Sequence, residues 1–176
     1  MSGTSKKHKA AAPKQLKFAV FVCSTSRYQQ LQKGEKIEDV SGDTIVTLLS
    51  NAGHLVLSKK IIADNKVMIE EAVKTVLNSV DLHCAIFCGG TGITPNDVTI
   101  EAVSPFLEKI LLGFGEIFRR LSYEKVGSAA VMSRAVAGVA KGKALFCIPG
   151  SPDAVRVSVE MLILPESPHI VRHARE

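Results

Sequence analysis

The sequence predicts an α/β domain, a three-layer sandwich around a mostly parallel central sheet. Three observations carry that expectation. Short apolar, β-branched runs alternate with longer stretches whose apolar residues recur at helical spacing. The short runs end in polar or glycine-bearing loops, which in such sheets lie together at the carboxyl edge. The chain of 176 residues, 46% apolar and 22% charged, carries enough aliphatic material for one core without disulfides or a metal.

Taken in order, Met1 to about Gln15 is Ser/Lys/Ala-rich with no apolar period. It reads as a basic, mobile or partner-dependent arm (residues 1–15) ahead of a domain over 16–176. Lys17–Cys23 (KFAVFVC) is a buried strand ending at Ser24-Thr25-Ser26. A polar loop from Arg27 to Val40 follows. Thr44–Asn51 is a helix, with Ile45, Leu48 and Leu49 on one face and Gly53 at the C-cap position.

Leu55–Ile62 is a second strand, ending at Ala63-Asp64-Asn65, and 66–80 is a helix with a stripe of Val67, Ile69, Val73, Val76, Leu77 and Val80. The run 83–88 is a third strand, opening directly into Gly89-Gly90-Thr91-Gly92. A helix over 96–112 is interrupted near Ser104-Pro105, because proline disfavours α geometry in the residue before it. A further helix covers 116–121. Ala129–Met132 and Ala144–Ile148 read as strands bracketing 133–142, and Pro149-Gly150-Ser151-Pro152 opens a last helix over about 153–164.

The formal net charge is +5, and Lys6, Lys7, Lys9 and Lys14 place four positive charges in the arm. With no aromatic-interleaved basic stripe, nucleic acid is not an expected partner; phosphate-bearing small ligands suit the balance equally well. No run reaches the roughly 18 apolar residues of a membrane span. No secretory signal is visible, so a cytoplasmic protein is expected. Cys23, Cys84, Cys88 and Cys147 lie in or beside apolar runs and read as small buried hydrophobes.

The chemistry is concentrated in the strand-end loops. In the stretch from Cys88 to Asp97 (CGGTGITPND) a strand passes into a glycine cluster and then into a helix start. Glycines admit close backbone approach and their N–H groups form an anion-binding nest, so the loop suits a phosphate or a polar heterocycle. No Gly-Lys-Ser/Thr follows, so it is not a Walker A loop, and it lacks the G-x-G-x-x-G spacing. Asp97 can cap the helix, accept from a ligand N–H, or help hold Mg²⁺. Asp64 follows another strand and is placed on the same sheet edge, where two carboxylates facing a phosphate site can hold Mg²⁺ or hydrogen-bond the amide edge of a heterocycle such as a pterin. Ser24 and Thr25, the hydroxyl and guanidinium of Ser133-Arg134, and Pro149-Gly150-Ser151 complete the set of loops. His169 and His173, four apart in a Pro- and Arg-bearing tail, lack a third ligand for a metal.

Three motifs in this order resemble the MoaB/MogA family of molybdenum-cofactor biosynthesis proteins: GGTGITPNDVT from Gly89, SRAVAG from Ser133, and PGSP from Pro149. The resemblance runs from about Lys17 to Pro165. The stretch GFGEIFR from Gly113, with LSYE from Leu121, looks most like the MoaB branch. What it implies is the MogA-like fold, trimeric or hexameric assembly, and molybdopterin as ligand. For active members it implies Mg-ATP-dependent transfer of AMP to the molybdopterin phosphate with release of pyrophosphate. By motif, Asp97 matches the acidic residue closing the glycine loop and Asp64 the acidic residue after the second strand. Ser133 matches the serine of the S-R-x-x-A-G motif, and Gly89, Gly90, Thr91 and Gly92 match the ligand cradle. Other molybdenum-cofactor biosynthesis proteins become candidate partners. The rival expectation keeps the fold and makes the chain a non-catalytic molybdopterin-binding or scaffolding protein.

Overall fold

Strands β1 (Lys17–Cys23) and β2 (Leu55–Ile62) form over the residues the sequence predicts. The computed structural model describes residues 13–176, so residues 1–12 of the arm expected over 1–15 lie outside the described residues. At its inner end, Gln15 donates from Nε2 to the Gly53 carbonyl at 2.9 Å. With β3 (Cys84–Cys88), β4 (Lys109–Ile110), β5 (Val136–Ala140) and β6 (Lys143–Ile148), the strands make one sheet in the order β2-β1-β3-β6-β5-β4. The first four in that order run parallel, whereas β5 is antiparallel to β6 and β4 antiparallel to β5.

Alternation along the strands sends side chains to two separate cores. Phe18, Val20, Ile86, Phe146 and Ile148 join one face. There they pack under α2 (Val40–Asn51), α5 (Leu112–Val126), α6 (Pro152–Ser158) and α7 (Leu164–Ala174). Ala19, Phe21, Ala85, Phe87 and Leu145 join the other, under α3 (Lys66–Asn78) and the short α4 (Thr99–Val103). A sheet covered on both faces needs continuous apolar runs, which is why β1 and β3 read as they do. Helix α1 (Thr25–Gln32) lies outside both layers and buries no side chain. Among the described residues no helix is long and apolar enough to cross a membrane.

The structure departs from the sequence expectation in several places. Residues 129–132 are not a strand: Gly127–Met132 forms a 3-10 helix. Gly127 turns the chain at φ +63, and Val131 is 82% exposed; Ala130 is the one buried residue of that run, too little apolar surface to hold a strand in the sheet. The missed strand is β5, inside the stretch read as a connection. Its small residues hide it from β-propensity, and Gly138 is where the Lys109 carbonyl and Leu107 pass close to the backbone.

The polar loop over 27–40 contains α1, whose lack of an apolar stripe leaves nothing for periodicity to detect. Helix α2 starts at Val40, because Asp39 caps it by accepting from Gly42 N at 3.0 Å. The helix expected over 96–112 divides into α4, a 3-10 turn at Ser104–Phe106, and β4. The helix expected over 116–121 is the longer α5. After α6, a π-helical turn (Val159–Ile163) leads into α7, so the Pro- and Arg-bearing tail is helical despite Pro165 and Pro168. The wider turn precedes the two residues that lack an N–H donor, and buried Ser167 and Val171 anchor the helix.

Candidate functional site

All four parallel strands end at one edge of the sheet, and the loops that follow are tied together by backbone hydrogen bonds. Ser24 N donates to Ile62 O, and Gly89 N donates to Ile148 O, both at 2.9 Å. Gly89 sits at φ +102, with its α-carbon so close to β1 that a Cβ would collide with the Cys23 carbonyl. Only glycine lets β1 and β3 end side by side there. Gly150 approaches the same point from the end of β6, where an added Cβ would lie 3.3 Å from the Gly89 α-carbon.

Antiparallel β5 starts where β6 ends, with Val136 opposite Cys147. Ser133-Arg134 therefore reaches the functional edge on the way into a strand, not on the way out of one as the sequence predicts. The convergence holds with the direction reversed.

The loops enclose an open cleft of about 330 Å³ lined by Gly90, Thr91, Gly92, Asp97, Ala129, Met132, Ser133, Arg134, Pro149 and Gly150. Of the residues singled out in the sequence, these are brought together directly. Ser151 lies next door: it caps α6 by accepting from Ala154 N at 3.4 Å, and it lines a neighbouring depression shared with Ser133, Pro149, Phe118 and Ser122. Gly89 forms the floor behind the cleft. Ser24, Thr25 and Asp64 form a flank, joined to it through Gly90.

Asp64 is held by a reciprocal clasp. Its Oδ2 accepts from Thr25 N at 2.7 Å and Thr25 Oγ1 at 3.0 Å, while Asp64 N donates back to Thr25 Oγ1 at 3.0 Å. Its Oδ1 is buried without a partner and points at Gly90, where a Cβ would lie 2.7 Å away. Ser24 is the N-cap of α1, accepting from Arg27 N at 3.5 Å.

Asp97 folds back on its own loop. Its Oδ2 accepts from Thr94 Oγ1 at 2.7 Å and Thr94 N at 2.9 Å. The Thr94 hydroxyl, with the Thr94 and Gly92 amides and Arg134, holds the carboxyl below the usual carboxylate range. It does not cap α4, since no side chain caps that helix. Asp97 shapes the glycine loop and remains an anion beside Gly92.

Arg134 is committed on two sides: Nε donates to Thr91 O at 3.0 Å and Nη2 to Glu101 Oε1 at 2.6 Å. Glu101, the acid that aims this guanidinium, has no signal in the sequence beyond its place in the first turn of α4. A second group is also absent from the expectation. Asp39, only 4% exposed, caps α2 and pairs with Lys59 at 3.0 Å and Arg27 at 3.6 Å, while Ser41 Oγ donates to Gly150 O at 2.7 Å. The string Asp39, Ser41, Gly42 and Asp43 is the sequence feature that could have drawn attention to it.

All four cysteines are free and buried. Burial pushes the Cys23 and Cys88 thiols up to about 12 and raises Cys84 and Cys147 as well, so none is a poised nucleophile.

Comparison with known proteins places this geometry. Residues 19–169 match the family described as "Probable molybdopterin binding domain". A Methanocaldococcus jannaschii protein named "Probable molybdopterin adenylyltransferase" is 43% identical over 163 residues, covering 93% of this chain and 96% of that one. A Bacillus cereus "Molybdenum cofactor biosynthesis protein B" is 43% identical over 164 residues, 93% of each chain. Among solved structures, the tungsten cofactor synthesizing protein MoaB from Pyrococcus furiosus superposes with a TM-score of 0.82. It is 40% identical, over 94% of this chain and 100% of that one. The β-α-β framework, the glycine cleft and these matches agree, and the chain belongs to the molybdopterin-binding family of molybdenum-cofactor biosynthesis proteins.

Proposed function

We propose that this chain is a molybdopterin adenylyltransferase, moving AMP from ATP to the terminal phosphate of molybdopterin. The observation that carries the reading is the meeting of a glycine cradle with two carboxylates. Asp64 faces Gly90 with an oxygen that no group among the described residues satisfies, and Asp97 is held ionised beside Gly92. The name of the Methanocaldococcus jannaschii relative agrees with it.

In the step itself, a phosphate oxygen of molybdopterin attacks the α-phosphorus of ATP, the bond from that phosphorus to the bridging oxygen breaks, and pyrophosphate leaves. No covalent enzyme intermediate is needed, so the protein contributes positioning and charge. Backbone N–H groups of residues 90–92 and the Arg134 guanidinium face the phosphates, and Ser133 and Ser151 offer hydroxyls. Asp64 and Asp97 are the residues that would hold Mg²⁺, an ion commonly bound through one or two carboxylates together with waters and substrate phosphates. The ion supplies positive charge against the phosphate oxygens when bound.

The reading includes a cytoplasmic setting, in keeping with four free thiols. It also includes a homotrimer or homohexamer, with other molybdenum-cofactor biosynthesis proteins as partners. Leu112, Ile117, Val126, Val131, Met132 and Met161 supply exposed apolar surface for assembly. The test is pyrophosphate release by purified protein given molybdopterin and Mg-ATP. Asp64→Ala and Asp97→Ala proteins should lose most of the rate; wild-type rates in both would overturn the proposal.

A further inference from the structure

Among the described residues, two buried polar oxygens behind the glycine loop have no nitrogen or oxygen partner. One is Asp64 Oδ1, whose sister oxygen is fully engaged by Thr25. The other is Oγ1 of Thr99, the first residue of α4, which is 0% exposed. The Thr99 backbone N–H donates to Gly90 O at 2.9 Å, which fixes the residue against the loop.

An added Cβ on Gly90 would lie 2.5 Å from Thr99 Oγ1 and 2.7 Å from Asp64 Oδ1. The two oxygens therefore flank the space that glycine leaves open. One is a carboxylate acceptor and the other carries a donor proton, so they are chemically matched. Leaving a buried polar group unsatisfied is costly, and such groups in native proteins call for a reason. Cys23 lies within hydrogen-bond reach of the Thr99 hydroxyl, but burial and the nearby Asp64 charge keep its thiol protonated, so it is a weak partner that adds no negative charge beside the carboxylate.

We propose that Thr99 is a positioning residue for Asp64. When phosphates occupy the glycine loop, its hydroxyl donates across the Gly90 gap to Asp64 Oδ1, directly or through one water, and sets the plane of the carboxylate for adenylyl transfer. Gly90 then has a second duty besides its φ of +60: it keeps that line of contact clear. The inference rests on Asp64 acting in the reaction, as proposed above.

Four proteins test it: Thr99→Val, which keeps the shape and removes the hydroxyl, Thr99→Ser, Asp64→Asn, and the Thr99→Val/Asp64→Asn double variant. Thr99→Val should lower kcat on the order of 10-fold, with KM for ATP and molybdopterin changed less than about 2-fold. Thr99→Ser should restore kcat to within about 2-fold, and Thr99→Val should add almost nothing in the Asp64→Asn background. Thermal unfolding of Thr99→Val should stay within about 2 °C of wild type, since among the described residues the hydroxyl lost meets no stronger partner than the weakly hydrogen-bonding Cys23 thiol. A normal kcat in Thr99→Val alongside a slow Asp64→Asn overturns the role of Thr99 alone. A normal kcat in Asp64→Asn overturns the reading of Asp64 itself. A Thr99→Val protein that loses both Tm and kcat, without rescue by serine, makes Thr99 a packing residue and overturns the inference.

Discussion

Replacing Gly89 by alanine probes the close approach on which the floor of the cleft depends. The residue holds φ +102, and the atom its Cβ would strike is the backbone carbonyl of Cys23. A side-chain tip could swing aside, but here β1 or β3 must move. A non-glycine residue at positive φ costs roughly 1–2 kcal/mol, and overpacking against a fixed neighbour adds about 1–3 kcal/mol. A combined loss of about 3 kcal/mol lowers Tm by about 6–12 °C in a chain of this size. Gly53→Ala is the matched control, with φ +83 and nothing within 4 Å of its added Cβ. It carries the conformational cost alone, about 1–2 kcal/mol, or about 2–8 °C. Thermal unfolding followed by circular dichroism separates the two. Equal shifts would refute the steric half of the reasoning, and a Gly89→Ala protein within about 2 °C of wild type would refute all of it.

Three further outcomes are expected. Lys143 is 6% exposed and its ammonium donates to Ser79 O at 2.6 Å and Leu82 O at 2.8 Å; Lys143→Met strands both carbonyls and should cost about 2–3 kcal/mol in denaturant unfolding. His54 and His83 each accept a backbone N–H through Nδ1, from Leu16 and Lys17. Burial holds both below the ordinary imidazole value, with Arg175, Lys17 and Lys143 opposing protonation of His83 and Asp81 favouring it. Their contribution is complete above about pH 6.5 and is lost as pH falls through the lowered folded values. A His54→Asn/His83→Asn protein, with acceptors that do not titrate, should therefore give a flatter stability profile between about pH 7 and pH 5; parallel profiles would count against the two histidines. Arg134→Lys should leave Tm almost unchanged, because a half-exposed ion pair contributes about 1 kcal/mol or less. It gives up the fork that grips Thr91 O and Glu101 together, so kcat/KM for adenylylation should fall about 10-fold; retained kcat/KM would show that charge alone suffices.

Legibility in the sequence followed the burial of each element. Strands β1 and β3 and helix α3 could be read because each must satisfy a continuous apolar surface, and the chain spells that surface out; β2, an edge strand with Ile62 alone buried, could be read from its aliphatic and β-branched composition. The elements that were misread lack such a surface or share it unevenly. Helix α1 buries nothing, and β5 packs through Ala137, Gly138 and Ala140, residues that no propensity scale assigns to a strand. The run at 129–132 carries strand-like composition but buries Ala130 alone. The prolines of α7 suggest a chain break, yet the π-helical turn ahead of them and the burial of Val171 keep the helix going.

The candidate site was legible for a different reason. Each loop announced itself locally, through glycines or through an acid after a strand, and the order of a parallel sheet sufficed to bring the loops to one edge. That argument survives the misreading of β5, because an antiparallel strand entering at the edge delivers Ser133-Arg134 to the same place as a parallel strand leaving it. Local sequence cannot encode the pairing of residues that meet only after folding. Glu101 with Arg134, Thr25 with Asp64, and Ser41 with the Gly150 carbonyl are 33, 39 and 109 residues apart. These contacts decide whether the cleft is merely polar or organised. The clasp from Thr25 leaves Asp64 one oxygen to offer, and the grip of Glu101 gives Arg134 one direction to face. The loops bring the functional groups to the edge, and the long-range partners set how those groups can act.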